Sequence, residues 1–398
     1  MLNTRCCIVG GGPAGIMLGF LLAKAGIDVT VLEKYPDFFR DFRGDTIHPA
    51  TLEILYELGL LDDFLKLPHN KTYQLSGEVG GKKIQMADFS HLKVHCPFIA
   101  FIPQWDFLNF IVKKAAQFQN FHLLMQTEAT DLIEKDGRIQ GVCAKNPNGN
   151  VDISAELVIG ADGRHSLVRE KSGLAVKTLG APMDVLWFRI SRNTTDPKQS
   201  LGKIDMGRMM VMIERGDYWQ CGFLIRKGEF DHIKRDGLHS LRENILQLAP
   251  ILQDRIQEIQ SWDDIKLLTV TVDRLEKWYR AGLLCIGDAA HAMSPIGGVG
   301  INLAIQDAVA TANILIPAFL KNSVQESDLA KVQSRRLLPT KIIQKIQVFI
   351  QNRVIDSVLG NAKHPKIPFS IQLMQKIPYL QRIPAYIIGI GVRPEHVE

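Results

Sequence analysis

The sequence of 398 residues predicts an α/β fold: a Rossmann-type parallel sheet, interleaved with a second, mixed sheet and followed by a helical C-terminal region. Three observations predict it. A strand, a glycine turn, a helix and a second strand open the chain. Two later strand-like runs end at glycine-flanked aspartates, Asp162 and Asp288. Between them lie three further strand candidates, whereas the chain after Ile301 has helical spacing to its end.

The elements follow in order. "RCCIVG" (5–10) is a short apolar run that reads as a buried strand, and "GGGPAG" leads into helical spacing from Ala14 to Ala25, stopped by Gly26. "DVTVLE" (28–33) alternates β-branched residues and closes a βαβ unit. Helical spacing returns at Pro49–Leu67 and Gln104–Phe118, with strand-like stretches between 70 and 100. A meander is then expected: a strand over 122–134, the turn "KDGR", a strand over 139–145, the turn "NPNG", and a long strand ending at "GADG". Both turns carry the tight-hairpin signal. "MDVLWFRIS", "MMVMIERG" and "YWQCGFLIR" predict a separate sheet over 183–226. Helices at 238–249 and 251–258 and strands at 265–278 and 282–288 precede the helical end. The segments interleave, so the expected division is discontinuous: 1–70, 97–178 and 275–330 in one domain, 71–96 and 179–274 in a second, 331–398 as a helical tail.

Composition narrows the class of function. Mean hydropathy is near zero and the net charge is +5. No uninterrupted apolar run reaches the roughly 20 residues of a bilayer span, and no secretory signal pattern precedes the first strand. None of the six cysteines forms a CxxC pair. A cytoplasmic protein with free thiols is the expectation. Charge is uneven: Lys331–Glu398 holds eleven Lys and Arg against three Asp and Glu, which leaves the remainder at −3. That basic, apolar tail suits a solvated helical face, a cover over the substrate site, a homodimer surface or peripheral contact with an anionic membrane. Nucleic acid is not an expected partner, because no aromatic-basic motif accompanies the charge. His91, His95 and Cys96 lack a fourth ligand and a metal-site spacing, so no metal is expected.

The chemistry begins at Gly10-x-Gly12-x-x-Gly15, between strand and helix. Its glycines permit a tight turn and close approach of backbone to a pyrophosphate, and the helix start offers free N–H groups and the positive end of a dipole. Glu33 lies 21 residues past Gly12, where it can accept from a ribose hydroxyl. No second GxGxxG exists, so one dinucleotide is expected. Asp162, in "GADGRHSLVRE", and Asp288, in "GDAAHAMSPIGGVGIN", sit just past predicted strands, where a carboxylate can accept from sugar or ribityl hydroxyls. The "PIGGVGIN" bend then opens a helix whose start would stabilise negative charge.

With these three motifs in order, the sequence resembles the single-component FAD-dependent aromatic hydroxylases, typified by para-hydroxybenzoate hydroxylase and including ubiquinone-biosynthesis hydroxylases. The resemblance covers roughly residues 5–320. It implies that Gly10, Gly12, Pro13, Ala14, Gly15, Glu33 and Lys34 hold the adenosine half of FAD, with Arg43 near the pyrophosphate and Gln104 as a further FAD contact. It implies that Asp162 links FAD and nicotinamide binding, helped by Arg164 and Arg169, and that Asp288 takes the ribityl chain. Pro295, Gly298, Gly300, Ile301 and Asn302 would flank the flavin ring, and Arg43, His48 and Pro295 would stand closest to the chemistry. The implied reaction is hydroxylation of an aromatic or polyketide-like small molecule, with NAD(P)H and O2, through a flavin C4a-hydroperoxide.

The substrate pocket is expected against the 183–226 sheet. By alternation Val185, Trp187 and Arg189 share one face, and Arg208, Met210 and Met212 share another. Trp187, Arg189, Met210, Met212, Arg215 and Phe223 are the candidate substrate residues, since Met and aromatic side chains suit an adaptable apolar pocket. Packing of the sheet's own core explains the same residues equally well. Two other functions share the fold: an oxygen-independent FAD oxidoreductase, such as an isoprenoid double-bond reductase, and a flavin-binding protein that acts by interaction alone. The Trp-x-Trp-x-Ile-Pro motif of the halogenases is absent.

Overall fold

A computed structural model describes residues 2–39, 45–197, 200–205, 207–355, 358–359 and 369–398. In chain order, the elements that build the site are β1 (Leu2–Val9), α1 (Pro13–Lys24), β2 (Val29–Leu32), α2 (Pro49–Glu57), β3 (Gln74–Val79), β4 (Lys82–Asp88), α3 (Gln104–Ala115), β5 (Phe121–Leu124), β6 (Gly149–Gly160), β7 (Met183–Ser191), β8 (Leu201–Asp205), β9 (Arg208–Glu214), β10 (Tyr218–Arg226), α4 (Leu238–Leu248), β11 (Lys266–Leu268), β12 (Leu283–Cys285), α5 (Gly300–Leu320), α6 (Glu326–Ile350), α7 (Phe369–Lys376) and α8 (Arg382–Gly389).

The expected α/β fold is present. The first sheet has eight strands; its central run β12–β6–β1–β2–β5 is parallel at every pair, and Tyr279–Arg280 adds an antiparallel edge beside β12. A parallel sheet is covered on both faces, so its strands must be apolar throughout. All four residues of β2 are buried, as is every residue of α1 from Ala14 to Ala23. Register sets the site. Val9 lies opposite both Gly160 and Leu32, Gly160 opposite Cys285, and Leu32 opposite Leu124. Five strands therefore finish level, and the loops after them meet at one edge, where open α/β sheets bind ligands.

The second sheet has seven strands in the order β11–β7–β10–β9–β8–β3–β4. Residues 74–88 thus join the sheet built by 183–226. Its two faces differ. Leu186, Phe188, Met210, Met212, Trp219 and Phe223 form one buried core with Leu241, Ile245 and Leu248 of α4. Val185, Trp187, Met209 and Leu224 face the other way and cluster with Ile296, from the bend that opens α5.

Several expected elements are divided. The run 122–134 is two strands with different partners: β5 pairs parallel with β2, and Glu128–Lys135 pairs antiparallel with Arg138–Asn146. Gln126, at φ 52°, turns the chain between them. The helix over 49–67 stops after Glu57, and the stretch 251–258 is two short 3₁₀ turns. β8 lies in a stretch without an apolar run and was not expected. The strand over 265–278 shortens to Lys266–Leu268 and Asp273–Leu275. α5 corrects the membrane reading: by length and composition it could cross a bilayer. Dispersed polar residues hide this in the sequence, and the helix is buried from Ile301 to Ala312.

Candidate functional site

The three glycine motifs touch one another. Gly10 sits at φ +110°, and a Cβ there would lie 2.4 Å from the Ala161 carbonyl oxygen and 2.7 Å from the Cα of Asp162. Only glycine lets the loop after β1 pass under the loop after β6. Gly287, at φ +59°, packs against Ala14 and Ala304, which brings the turn after β12 onto the start of α1. Residues nearly 300 positions apart thus share one cradle. Around Gly12 a Cβ would meet nothing within 4 Å, so the cradle is open on the side where a ligand would lie. Pro13 occupies the first turn of α1, and no side chain caps it. The N–H groups there are free to take a phosphate.

The carboxylates around this cradle are differently employed. Glu33, half-buried, accepts from the Gly11 N–H at 3.0 Å and the Tyr35 N–H at 3.1 Å, which fixes it at the rim. Lys34 is exposed, 3.8 Å from Glu128. Asp162 accepts from the Ser166 hydroxyl at 2.5 Å and the Val168 N–H at 3.1 Å, so its carboxylate holds its own loop in shape. Burial pushes this carboxyl up from the ordinary range despite those bonds. Asp288 is more open, and its nearest cation is Arg164 at 3.6 Å. Nη1 of Arg164 is buried with no partner among the described residues. Arg169 is committed elsewhere, to Asp273 at 3.0 Å and to the Arg164 carbonyl at 2.7 Å.

The turn that carries Asp288 is pinned from behind by Asp307 of α5, which the sequence reading missed. Asp307 is fully buried. It accepts from the Gly287 N–H at 3.0 Å, pairs with His291 at 2.6 Å, and receives Nε of the buried Arg336 at 2.9 Å. Burial alone would raise its carboxyl; the His291 and Arg336 charges outweigh that and hold it below the ordinary range. Its sequence signal was a lone carboxylate in an otherwise apolar helix.

At the other end, Thr46 donates to the Gly298 carbonyl at 3.0 Å. The Asn302 side chain accepts from the His48 N–H at 3.0 Å and the Thr51 hydroxyl at 2.6 Å. The start of α5, with Gly300 and Ile301, is thereby stapled to the start of α2. His48 is fully buried, its Nδ1 is 2.7 Å from the Ile388 carbonyl, and burial lowers its pKa to about 4. The ring is neutral at pH 7. Pro295 is half-buried in the bend between Ser294 and Ile296. Gln104 opens α3, and its N–H bonds to the carboxylate of Asp45. Arg43 lies outside the described residues.

The candidate substrate residues divide. Trp187 and Arg189 lie on the face of β7 that looks toward Ile296, and the indole lies over Gly222. Arg189 lies over the Tyr218 ring, 4.5 Å from its centroid. Met210, Met212 and Phe223 are on the opposite face, in the core beneath α4. The reason is the two-residue period of a strand: in β9 and β10 these positions point the other way from Met209 and Leu224. Arg215 is at the hairpin end and forms a buried ion pair with Asp45, so its guanidinium ties this sheet to the segment before α2.

The donor set fits one extended dinucleotide: uncapped N–H groups and an open cradle at Gly12, a carboxylate at Glu33, a second at Asp288, and an unsatisfied arginine nitrogen beside it. Comparison agrees. Residues 3–345 match the FAD binding domain family. The chain is 30% identical over 379 residues to 6-methylpretetramide 4-monooxygenase of Streptomyces rimosus, covering 94% of this chain and 90% of that one. The chain belongs to the FAD-dependent monooxygenases. Solved structures in this family share the fold. The p-nitrophenol 4-monooxygenase of Pseudomonas putida superposes with a TM-score of 0.79 at 19% identity, over 97% of both chains. PqsL of Pseudomonas aeruginosa, in complex with 2-aminobenzoylacetate, superposes with a TM-score of 0.77 at 20% identity, over 90% of this chain and 98% of that one. In this FAD-dependent monooxygenase the bend that opens α5 meets one face of the second sheet through Ile296.

Proposed function

We propose that this monooxygenase uses NAD(P)H and O2 to hydroxylate a planar aromatic or polyketide-like small molecule. The observation that carries the substrate class is the face of β7, β9 and β10 opposite Ile296, where Val185, Trp187, Met209 and Leu224 present apolar and aromatic surface to the bend at Pro295. Apolar walls with few polar groups suit a ring system. The family relationship supports the reaction class, and relatives named for monooxygenation give no support to the reductase or to the non-catalytic reading.

FAD supplies the redox chemistry when bound, accepting electrons from NAD(P)H and activating O2. The chain supplies position and exclusion of water. The start of α1 would hold the pyrophosphate, Glu33 the ribose and Asp288 the ribityl hydroxyls. Gly298, Gly300, Ile301 and Asn302 form a helix start whose dipole favours negative charge on the adjoining ring. Pro295 and the apolar face of the second sheet keep solvent from the reacting atoms. His48, neutral and buried, acts as a structural strut to Ile388. The exposed Ile377, Tyr379, Ile383 and Tyr386, beside Lys376 and Arg382, support a peripheral contact with anionic bilayers. Co-sedimentation with phosphatidylglycerol vesicles, but not with phosphatidylcholine vesicles, is the expected result.

The deciding experiment follows NADH and NADPH oxidation by the purified yellow protein with phenolic and polycyclic candidates under ¹⁸O2. Substrate-stimulated oxidation with gain of one labelled oxygen is expected. A reduced product formed without O2 would overturn the proposal.

A further inference from the structure

We propose that α6 stands in for a missing β-strand, with Gln347 as the residue that positions the Ser294–Ile296 bend beside the flavin. The bend lies in the interior and belongs to no sheet: Pro295 is helical (φ −67°, ψ −9°), Ile296 opens a 3₁₀ turn, and no strand among the described residues pairs with the Ser294 backbone. The side-chain amide of Gln347 does so: its Oε1 accepts from the Ser294 N–H at 3.2 Å, and its Nε2 donates to the Ser294 carbonyl at 3.0 Å and the Ile296 carbonyl at 2.9 Å. A primary amide offers the same donor and acceptor as a peptide group, so this exchange copies a ladder rung.

The pattern repeats along one face of the helix. Gln333 accepts from the Trp278 N–H at 3.0 Å and donates to the Glu276 carbonyl at 2.8 Å. Gln344 donates to the carbonyls of Asp273 and Ala292 at 2.7 and 3.1 Å, and its own oxygen accepts from Arg274. Gln351 donates to the Ser294 hydroxyl at 2.8 Å. Positions 333, 344, 347 and 351 fall on one side of a helix of 3.6 residues per turn. Gln344 and Gln351 are fully buried and Gln347 nearly so, where an amide without partners would be costly. Pro295 sits between the two backbone groups that Gln347 holds, so the glutamine acts on the ring face through the bend.

The inference rests on FAD lying at this edge, so FAD affinity of the unaltered protein is measured first; failure to bind FAD there would defeat the functional reading itself. In the holoprotein, Gln347→Leu is expected to weaken FAD binding about tenfold. It should also alter the visible flavin spectrum and speed hydrogen exchange in peptides spanning 292–299. Lys345→Ala, on the exposed face of the same helix, should change none of these. Should Gln347→Leu not fold, Gln351→Leu removes the one side-chain bond it makes among the described residues, to the Ser294 hydroxyl, and should loosen FAD a few-fold with the same spectral signature. If the variants that fold are less heat-stable yet keep unaltered FAD affinity, spectrum and exchange, the glutamines only pack the helix and the proposal is overturned.

Discussion

At the residue scale, buried charge decides what each side chain does. Asp288 is partly exposed and its nearest cation among the described residues is 3.6 Å away, so its hydrogen-bonding capacity remains for a ligand. Asp288→Ala should weaken FAD retention by about ten- to a hundredfold, the worth of a hydrogen bond to a charged group. Ultrafiltration and the flavin absorbance of the retained protein check this; full occupancy would place the ribityl chain elsewhere. Asp307 behaves differently. Asp307→Asn keeps the shape but removes one of the two carboxylates that hold Arg336, at a cost of about 3–5 kcal/mol, which denaturant unfolding would measure. His48 gives a pH signature. Its folded pKa, about 4, lies below the unfolded value, so the unfolded chain binds the proton more readily between pH 6.5 and 4. Stability is therefore lost as pH falls through that window, by up to about 3 kcal/mol. In His48→Gln this component should vanish, and the difference between the two unfolding curves isolates it from the carboxylates.

At the element scale, the strand ends were legible and the sheet faces were not. Gly10, Asp162 and Asp288 could be placed because each ends an apolar run at a glycine, and level strand ends then follow from parallel pairing. Alternation correctly separated Trp187 from Phe188 and Met209 from Met210. It cannot say which set meets a helix, because both faces of this sheet are apolar: α4 covers one and the bend at Ile296 the other. Met210, Met212 and Phe223 were assigned to substrate on residue type alone. The glutamines of α6 carried no signal of their own in the sequence, since polar residues on a helix do not show whether they meet solvent, yet here Gln344 and Gln347 line buried backbone. The two faces make separable predictions. Met212→Ala should destabilise the fold by about 2–5 kcal/mol, through cavity formation, and leave KM for the aromatic substrate unchanged. Trp187→Ala should also lower the unfolding midpoint, because the half-buried indole packs over Gly222, but unlike Met212→Ala it should raise KM and increase hydrogen peroxide release per NAD(P)H oxidised. Equal effects of both on KM would mean that the substrate does not sit on the Ile296 side.

At the scale of the molecule, the helical tail reaches both the second sheet and the turn that carries Asp288. α8 packs on β4, and Gln375 exchanges hydrogen bonds with the backbone of Gln85, so this edge strand is covered by a side chain where a further strand would pair. The final residues complete a relay through the core. Glu395, nearly buried, holds Arg335 at 2.7 Å and Arg336 at 3.3 Å; Arg336 holds Asp307; Asp307 holds the Gly287 N–H. Val397 and Glu398 are tied in turn to Glu57 of α2 and Asn313 of α5. The sequence showed a basic tail, but not that one of its few acids meets two of its arginines inside the protein. Removing residues 393–398 strips Arg336 of one of its two carboxylates and opens the relay to water. The truncated protein should unfold at lower denaturant and also release FAD faster than the intact chain, because the turn that carries Asp288 loses its brace. Glu395→Gln should reproduce a fraction of both effects without shortening the chain. A lower unfolding midpoint with unaltered FAD release would confine the tail to stability and detach it from the site.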